Sequence, residues 1–241
     1  LPRSGDALCS QPTMSRLENA PSKIELTRLM AAMVDQFCDS YRRPPGSIVL
    51  DIDDTLDTVH GHQQLSLFNA HYDEHCFLPI HIYEGSSGKP VAMILRSGKT
   101  PSGTEVRTIL KRVVGHIRGR WPKVAIVVRG DSHYGRIEAM QWCEQNDVDY
   151  IFGFATNAVL QAMTNPAAEA LGLRRAASGA EKLRRFATLS YGAKHWDKER
   201  RLAARIEATE KGLDVRYVVS SLAGTAKQLY EKVYCARGQA E

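Results

Sequence analysis

Ser47-Ile-Val-Leu-Asp-Ile-Asp-Asp-Thr55 decides how the chain is to be read. Ile48, Val49 and Leu50 form an aliphatic, partly β-branched run that suits a buried strand. Pro44, Pro45 and Gly46 punctuate its start. Side chains alternate along a strand, so Asp51 and Asp53 share one face and Asp54 takes the other. Carboxylates crowded at a strand end repel one another and lose hydration, which a packed core has no use for. A divalent cation relieves the repulsion, and Mg²⁺ prefers hard oxygen ligands. A solvated acidic turn is the plainer alternative. With Asp57 included, four acids fall within seven residues, a density that favours a site.

The same device recurs downstream. Val124 to Val128 is a second apolar strand running into Arg129-Gly-Asp-Ser-His133, so Asp131 also stands at a strand end. Between the two, Phe77 to Tyr83 and Val91 to Leu95 read as strands around the Gly85–Gly88 turn, an antiparallel meander. Gly103 to Arg120 is helical, with Val106, Ile109, Leu110, Val113 and Ile117 on one face. A short helix through Ile137, Met140 and Trp142, a third strand Tyr150 to Phe154 and a helix over 156–172 follow. Residues 174–215 change character, alternating as strands dense in Arg and Lys. Val215 to Leu222 is a strand, and the chain closes on a helix from Gly224 to Glu241. On that helix Tyr234, Arg237 and Glu241 recur at i, i+3 and i+7, one face two turns long. Such a stripe makes a poor core but suits phosphate: Glu for a cation, Arg for a phosphate oxygen, Tyr for hydrogen bonding or stacking.

Upstream, Ser22 caps a helix whose Leu26, Leu29, Met30, Met33, Val34 and Phe37 form an apolar stripe, assigned to packing. His60 and His62 make an H-x-H pair, but no further ligands stand nearby in sequence to complete a metal site. Ser10 to Glu18 (S-Q-x-T-x-S-R-x-E) is similar to the turn and recognition helix of helix-turn-helix modules, where Arg16 would meet phosphate. A polar tail is the alternative there.

The 241 residues suffice for one large domain or two small ones, and the net charge of +5 fits a polyanionic partner. Five scattered cysteines without a C-x-x-C pair point away from zinc knuckles and towards reduced thiols. No apolar run approaches the roughly 20 residues of a membrane span, so no membrane partner is expected. The chain starts at Leu1 without a methionine and stops at Glu241 inside a helical pattern, which reads as a fragment of a longer protein.

Together, Asp53-Asp-Thr55, Asp131 in Arg-Gly-Asp-Ser-His and Tyr234-Cys-Ala-Arg237-Gly-Gln-Ala-Glu241 resemble the bacterial insertion-sequence transposases of the DDE class, the group marked by Y-x-x-R-x-x-x-E. His60-Gly-His-Gln-Gln, Leu67 to Glu74 and Tyr217 to Leu222 are also similar to that group. The resemblance implies an α/β, ribonuclease H-like fold: a mixed five-stranded sheet, meander first, with flanking helices and a β-rich insertion before the last catalytic helix. It divides the chain into a helical segment 1–43, the remnant of a helix-turn-helix region, and a catalytic domain 44–241 with its insertion at about 174–215, truncated at the C-terminus. The separation of 110 positions from Asp131 to Glu241 leaves room for the insertion. It implies Asp53, Asp131 and Glu241 as the catalytic, metal-binding triad for two Mg²⁺ ions, or Mn²⁺ in their place. Tyr234 and Arg237 would contact DNA. Double-stranded DNA, both transposon terminal inverted repeats and target, would be the substrate, met by a homodimer at the nucleoid in a bacterial cytoplasm. The D-x-T pattern favours Asp53 as first acid, with Asp54 its competitor. The Lys that the group usually carries about seven residues beyond the Glu would fall past Glu241.

Two rivals stand beside this. Asp51-Ile-Asp-Asp-Thr55 also resembles the D-x-D-x-T motif of haloacid dehalogenase-type phosphatases, with Asp51 as nucleophile and Asp53 as acid/base. That fold needs βαβ succession rather than a meander. A non-catalytic DNA-binding protein is the other, resting on the helix-turn-helix-like start.

Overall fold

A computed structural model of the chain describes residues 9–61, 63 and 66–239. His62 and Glu241 lie outside these residues. Among the described residues two helices come first, α1 (Gln11–Asn19) and α2 (Lys23–Asp39). The Ser22 hydroxyl accepts from Glu25 N–H while the Glu25 carboxylate accepts from Ser22 N–H, a reciprocal cap that starts α2. Only the C-terminal half of its apolar stripe is covered. Val34 and Phe37 are buried, whereas Leu26 and Leu29 are more than half exposed.

Eight strands form one sheet. In chain order they are β1 (Ser47–Asp54), β5 (Ile80–Glu84), β6 (Pro90–Ile94), β7 (Ala125–Gly130), β8 (Val148–Phe154), β9 (Lys182–Tyr191), β10 (Arg200–Thr209) and β11 (Gly212–Ser220). Their spatial order is β6-β5-β1-β7-β8-β11-β10-β9. The first five places are the ribonuclease H-like sheet: β5 and β6 run antiparallel to one another beside β1, and β7 and β8 run parallel to it. Ile48, Leu50 and Ile52 are buried, as the alternation of β1 requires.

Three details differ from what the sequence alone suggests. The first meander strand is split at Leu78-Pro79: Glu74–Phe77 (β4) pairs instead with Asp57–Thr58 (β2) and Leu67–Asn69 (β3) in a separate three-stranded sheet. Proline has no N–H for a ladder, so the strand breaks there. The basic strands of the 174–215 region do not stand apart. β11 pairs antiparallel with β8, and β10 and β9 extend the main sheet outward. Much of the basic density there is spent on structure, through Arg184–Glu207, Arg184–Glu231, Arg205–Asp214 and Arg200–Glu144 ion pairs.

Helices α3 (Gly103–Arg120), α4 (Ile137–Gln145) and α5 (Ala158–Ser178) flank the sheet. Ser102 and Asn157 cap α3 and α5, and Gly179 at φ +63° ends α5 in the left-handed conformation that glycine tolerates best. His116 and Arg120 on α3 hold Asp35 of α2 at 3.0 and 2.9 Å.

The last helical segment is not the regular α-helix expected. It is π-helical over Gln228–Tyr234 and a 3₁₀-helix over Cys235–Gln239. The Arg129 guanidinium donates to the Val233 carbonyl at 2.6 Å and the Ala236 carbonyl at 3.3 Å, satisfying two carbonyls near the end of the segment. The π turn closes with Cys235 N–H on the Tyr230 carbonyl.

Candidate active site

β1 and β7 are parallel neighbours in the register Asp51↔Arg129 and Ile52↔Gly130. One step beyond the last paired row, Asp53 meets Asp131. Parallel strands lie about 4.8 Å apart, so the two acids leave neighbouring strand ends close enough for the Asp131 charge to act on Asp53. Burial pushes the Asp53 carboxyl above the ordinary aspartate range, and the Asp131 and Asp54 carboxylates add to the rise while Arg237 opposes it.

Each acid of the motif has its own partner. Asp51 is buried and held by Arg129 through two bonds, Nε–Oδ1 at 2.5 Å and Nη2–Oδ2 at 2.6 Å. Gly85 roofs this pair; a Cβ there would lie 2.7 Å from Arg129 Nη2 and 2.8 Å from Asp51 Oδ2. Asp53 accepts from Arg237 Nη2 at 2.8 Å. Asp54 faces the other way, with both carboxylate oxygens 3.3 Å from His133 Nδ1. The Asp54 hydrogen bond raises the His133 pKa, against burial and with help from Asp131.

Tyr234 reaches the same place from the terminal segment. A Cβ at Gly153 in β8 would lie 2.7 Å from its hydroxyl oxygen and 2.9 Å from the Ser132 nitrogen. Glycine at 153 therefore lets Tyr234 and the Asp131 loop close over β8. Burial raises the Tyr234 phenol pKa, with Arg237 opposing and Asp131 adding. Tyr234 and Arg237 stand one 3₁₀ turn apart, where i and i+3 side chains eclipse.

The structure thus gathers Asp53, Asp131, Tyr234 and Arg237. Arg16 is elsewhere, on α1, whose described side chains are exposed, and donates to Thr13 Oγ1 at 3.3 Å. Among the described residues no three His, Cys, Asp or Glu side chains are grouped to hold a metal ion. His60 lines a surface cavity of about 560 Å³ with Glu74 and His75, apart from the aspartates.

Three contributors carried no role in the sequence. His133 joins Asp54 to Asp131. Tyr134 is fully buried, with its hydroxyl unpartnered among the described residues and its pKa raised by burial and by Asp54, Asp53 and Asp131. Tyr72, beside the small sheet, is raised by burial and by Asp54, Asp131 and Asp53. Tyr72 and His133 had a signal, since they fall within the Leu67 to Glu74 and Arg129 to His133 stretches already noted as similar to a family.

A family model described as transposase DDE domain group 1 matches residues 1–241. The chain belongs to this DDE transposase family. Among solved structures, the cryo-EM structure of a piggyBac transposase synaptic complex with hairpin DNA is similar, with a TM-score of 0.57 and 12% sequence identity. The match covers 95% of this chain and 45% of that one, so the chain spans less than half the length of that relative. At this identity the likeness establishes the fold, which is that of a DDE transposase. No curated protein sequence matches.

The phosphatase alternative fails on geometry. A phosphatase of that type needs Asp51 open to attack phosphate, but Asp51 is 4% exposed and clamped by Arg129. The strand beside it, β5, is also antiparallel rather than part of a βαβ unit.

Proposed function

We propose that this domain cleaves DNA at the ends of an insertion sequence and joins them to target DNA by Mg²⁺-dependent phosphoryl transfer. The observation that supports this most is the pair Asp53 and Asp131, side by side at neighbouring parallel strand ends and faced by Arg237 and Tyr234. Their donor set is hard oxygen, and a carboxyl raised by burial and by its neighbours is the kind a divalent cation stabilises. The donor set therefore fits Mg²⁺ or Mn²⁺. Asp53, Asp131 and Glu241 would hold two ions, which would activate the attacking oxygen and stabilise the leaving one.

The chain's own residues do the rest. Arg237 orients a phosphate oxygen by directional N–H donors, and Tyr234 donates from the wall over Gly153. No covalent enzyme–DNA bond is needed, since positioning and charge neutralisation carry the reaction. The partners are the terminal inverted repeats and a target duplex, bound as a homodimer in a bacterial cytoplasm, with Arg16 on a phosphate of the end sequence.

The test is a cleavage assay on DNA bearing the element's own ends. Asp53→Asn and Asp131→Asn are expected to fall below detection while end binding changes by less than about threefold, because binding rests chiefly on phosphate contacts. Wild-type cleavage by either variant would contradict the proposal.

A further inference from the structure

We propose that Asp54 and His133 form a positioning clamp that fixes Asp131 beside Asp53 and keeps Asp54 itself out of the metal-binding set. The inference rests on the transposase reading above and adds two residues to it.

Exposure separates the three acids. The Asp54 side chain is 4% exposed, whereas those of Asp53 and Asp131 are 37% and 29% exposed. Asp54 is thus the inaccessible member, and a buried carboxylate must be paired to be tolerated. His133 supplies that pairing. Its Nδ1 lies 3.3 Å from both Asp54 oxygens and 3.9 Å from Asp131 Oδ2. Its backbone N–H donates to Asp131 Oδ1 at 2.8 Å. One residue therefore grips Asp131 through its main chain and Asp54 through its ring, a contact that requires the ring proton on Nδ1. The end of β1 is tied to the loop after β7.

The consequence is a division of labour between adjacent acids. Asp53 points toward Arg237 and the terminal segment, where DNA would lie. Asp54 points away and acts through His133. Groups that orient a metal's ligands without touching it commonly change metal affinity 10–100-fold when removed.

The test titrates the full chain with Mn²⁺, following the free ion by electron paramagnetic resonance, and then measures cleavage of the end DNA. His133→Ala and Asp54→Ala are each expected to weaken Mn²⁺ binding about tenfold. The double variant should be no weaker than either single one, because each change breaks the same link. Asp54→Asn keeps an oxygen acceptor for Nδ1–H and should restore most of the affinity that Asp54→Ala loses. Cleavage should follow the same order. Asp54→Asn losing Mn²⁺ as completely as Asp53→Asn would make Asp54 a ligand and overturn the clamp. Unchanged Mn²⁺ affinity in His133→Ala would overturn it too, leaving the transposase reading intact if Asp53→Asn and Asp131→Asn lose the ion. If those two bind Mn²⁺ as the wild type does, the cation site lies elsewhere and both proposals fall.

Discussion

Asp51 shows how two neighbouring acids of one motif come to different ends. It sits two residues from Asp53 on the same face, yet one is locked inside a bidentate pair with Arg129 and the other opens to the site. Replacing Asp51 with Asn would leave the buried Arg129 charge uncompensated. The expected cost is about 3–5 kcal/mol in chemical denaturation, where a loss below about 1 kcal/mol would mean the pair is not buried in solution. Tyr134 is the opposite case. Its hydroxyl is buried without a partner among the described residues, so Tyr134→Phe removes an unmet polar group. Melting of that variant should occur at or slightly above the wild-type temperature, and a drop of several degrees would show that the hydroxyl is bonded. The position of Asp53 and Asp131 at strand ends was legible in the sequence because an apolar run ending in a carboxylate is a local signal. The roles of His133 and Arg129 were not. Their partners are 79 and 78 residues distant, and nothing local marks a histidine as the far half of a pair.

At the scale of elements, α4 and β10 are joined by one carboxylate. Glu144 accepts from Arg200 at 2.8 and 2.9 Å, from Tyr150 at 2.7 Å and from Lys198 at 2.9 Å. Burial pushes the Glu144 carboxyl up, but these donors outweigh it and hold it below the ordinary value of about 4.5. Because the folded pKa is the lower one, the link stabilises fully above about pH 4.5 and is lost as pH falls through the folded value. Acid titration of Glu144→Gln should therefore show a shallower fall in stability below that pH than the wild type; identical slopes would remove Glu144 from the account. The terminal segment teaches a different lesson. Spacing alone predicted an α-helical stripe, and Tyr234 and Arg237 do reach one site, but through π and 3₁₀ turns. Arg129 also takes the Val233 and Ala236 carbonyls there, a tertiary contact that periodicity does not encode.

The whole molecule is organised by a single sheet that begins as a ribonuclease H-like core and continues through β11, β10 and β9. The alternation of those added strands could be read from sequence, but the edge they join could not, since register with β8 is set by side-chain packing across strands. Continuous pairing predicts cooperative unfolding, with calorimetric and circular-dichroism transitions coinciding; two separated transitions would mean that the 174–215 region folds by itself. The same continuity holds β7 and β8 in place beneath the Asp131 loop and Tyr234. The central claim, that Asp53 and Asp131 jointly grip a divalent cation, is tested most directly by diffraction from crystals soaked in Mn²⁺. An anomalous peak in contact with both carboxylates is the predicted result. Peaks confined to other residues, with Asp53 still paired only to Arg237, would contradict it.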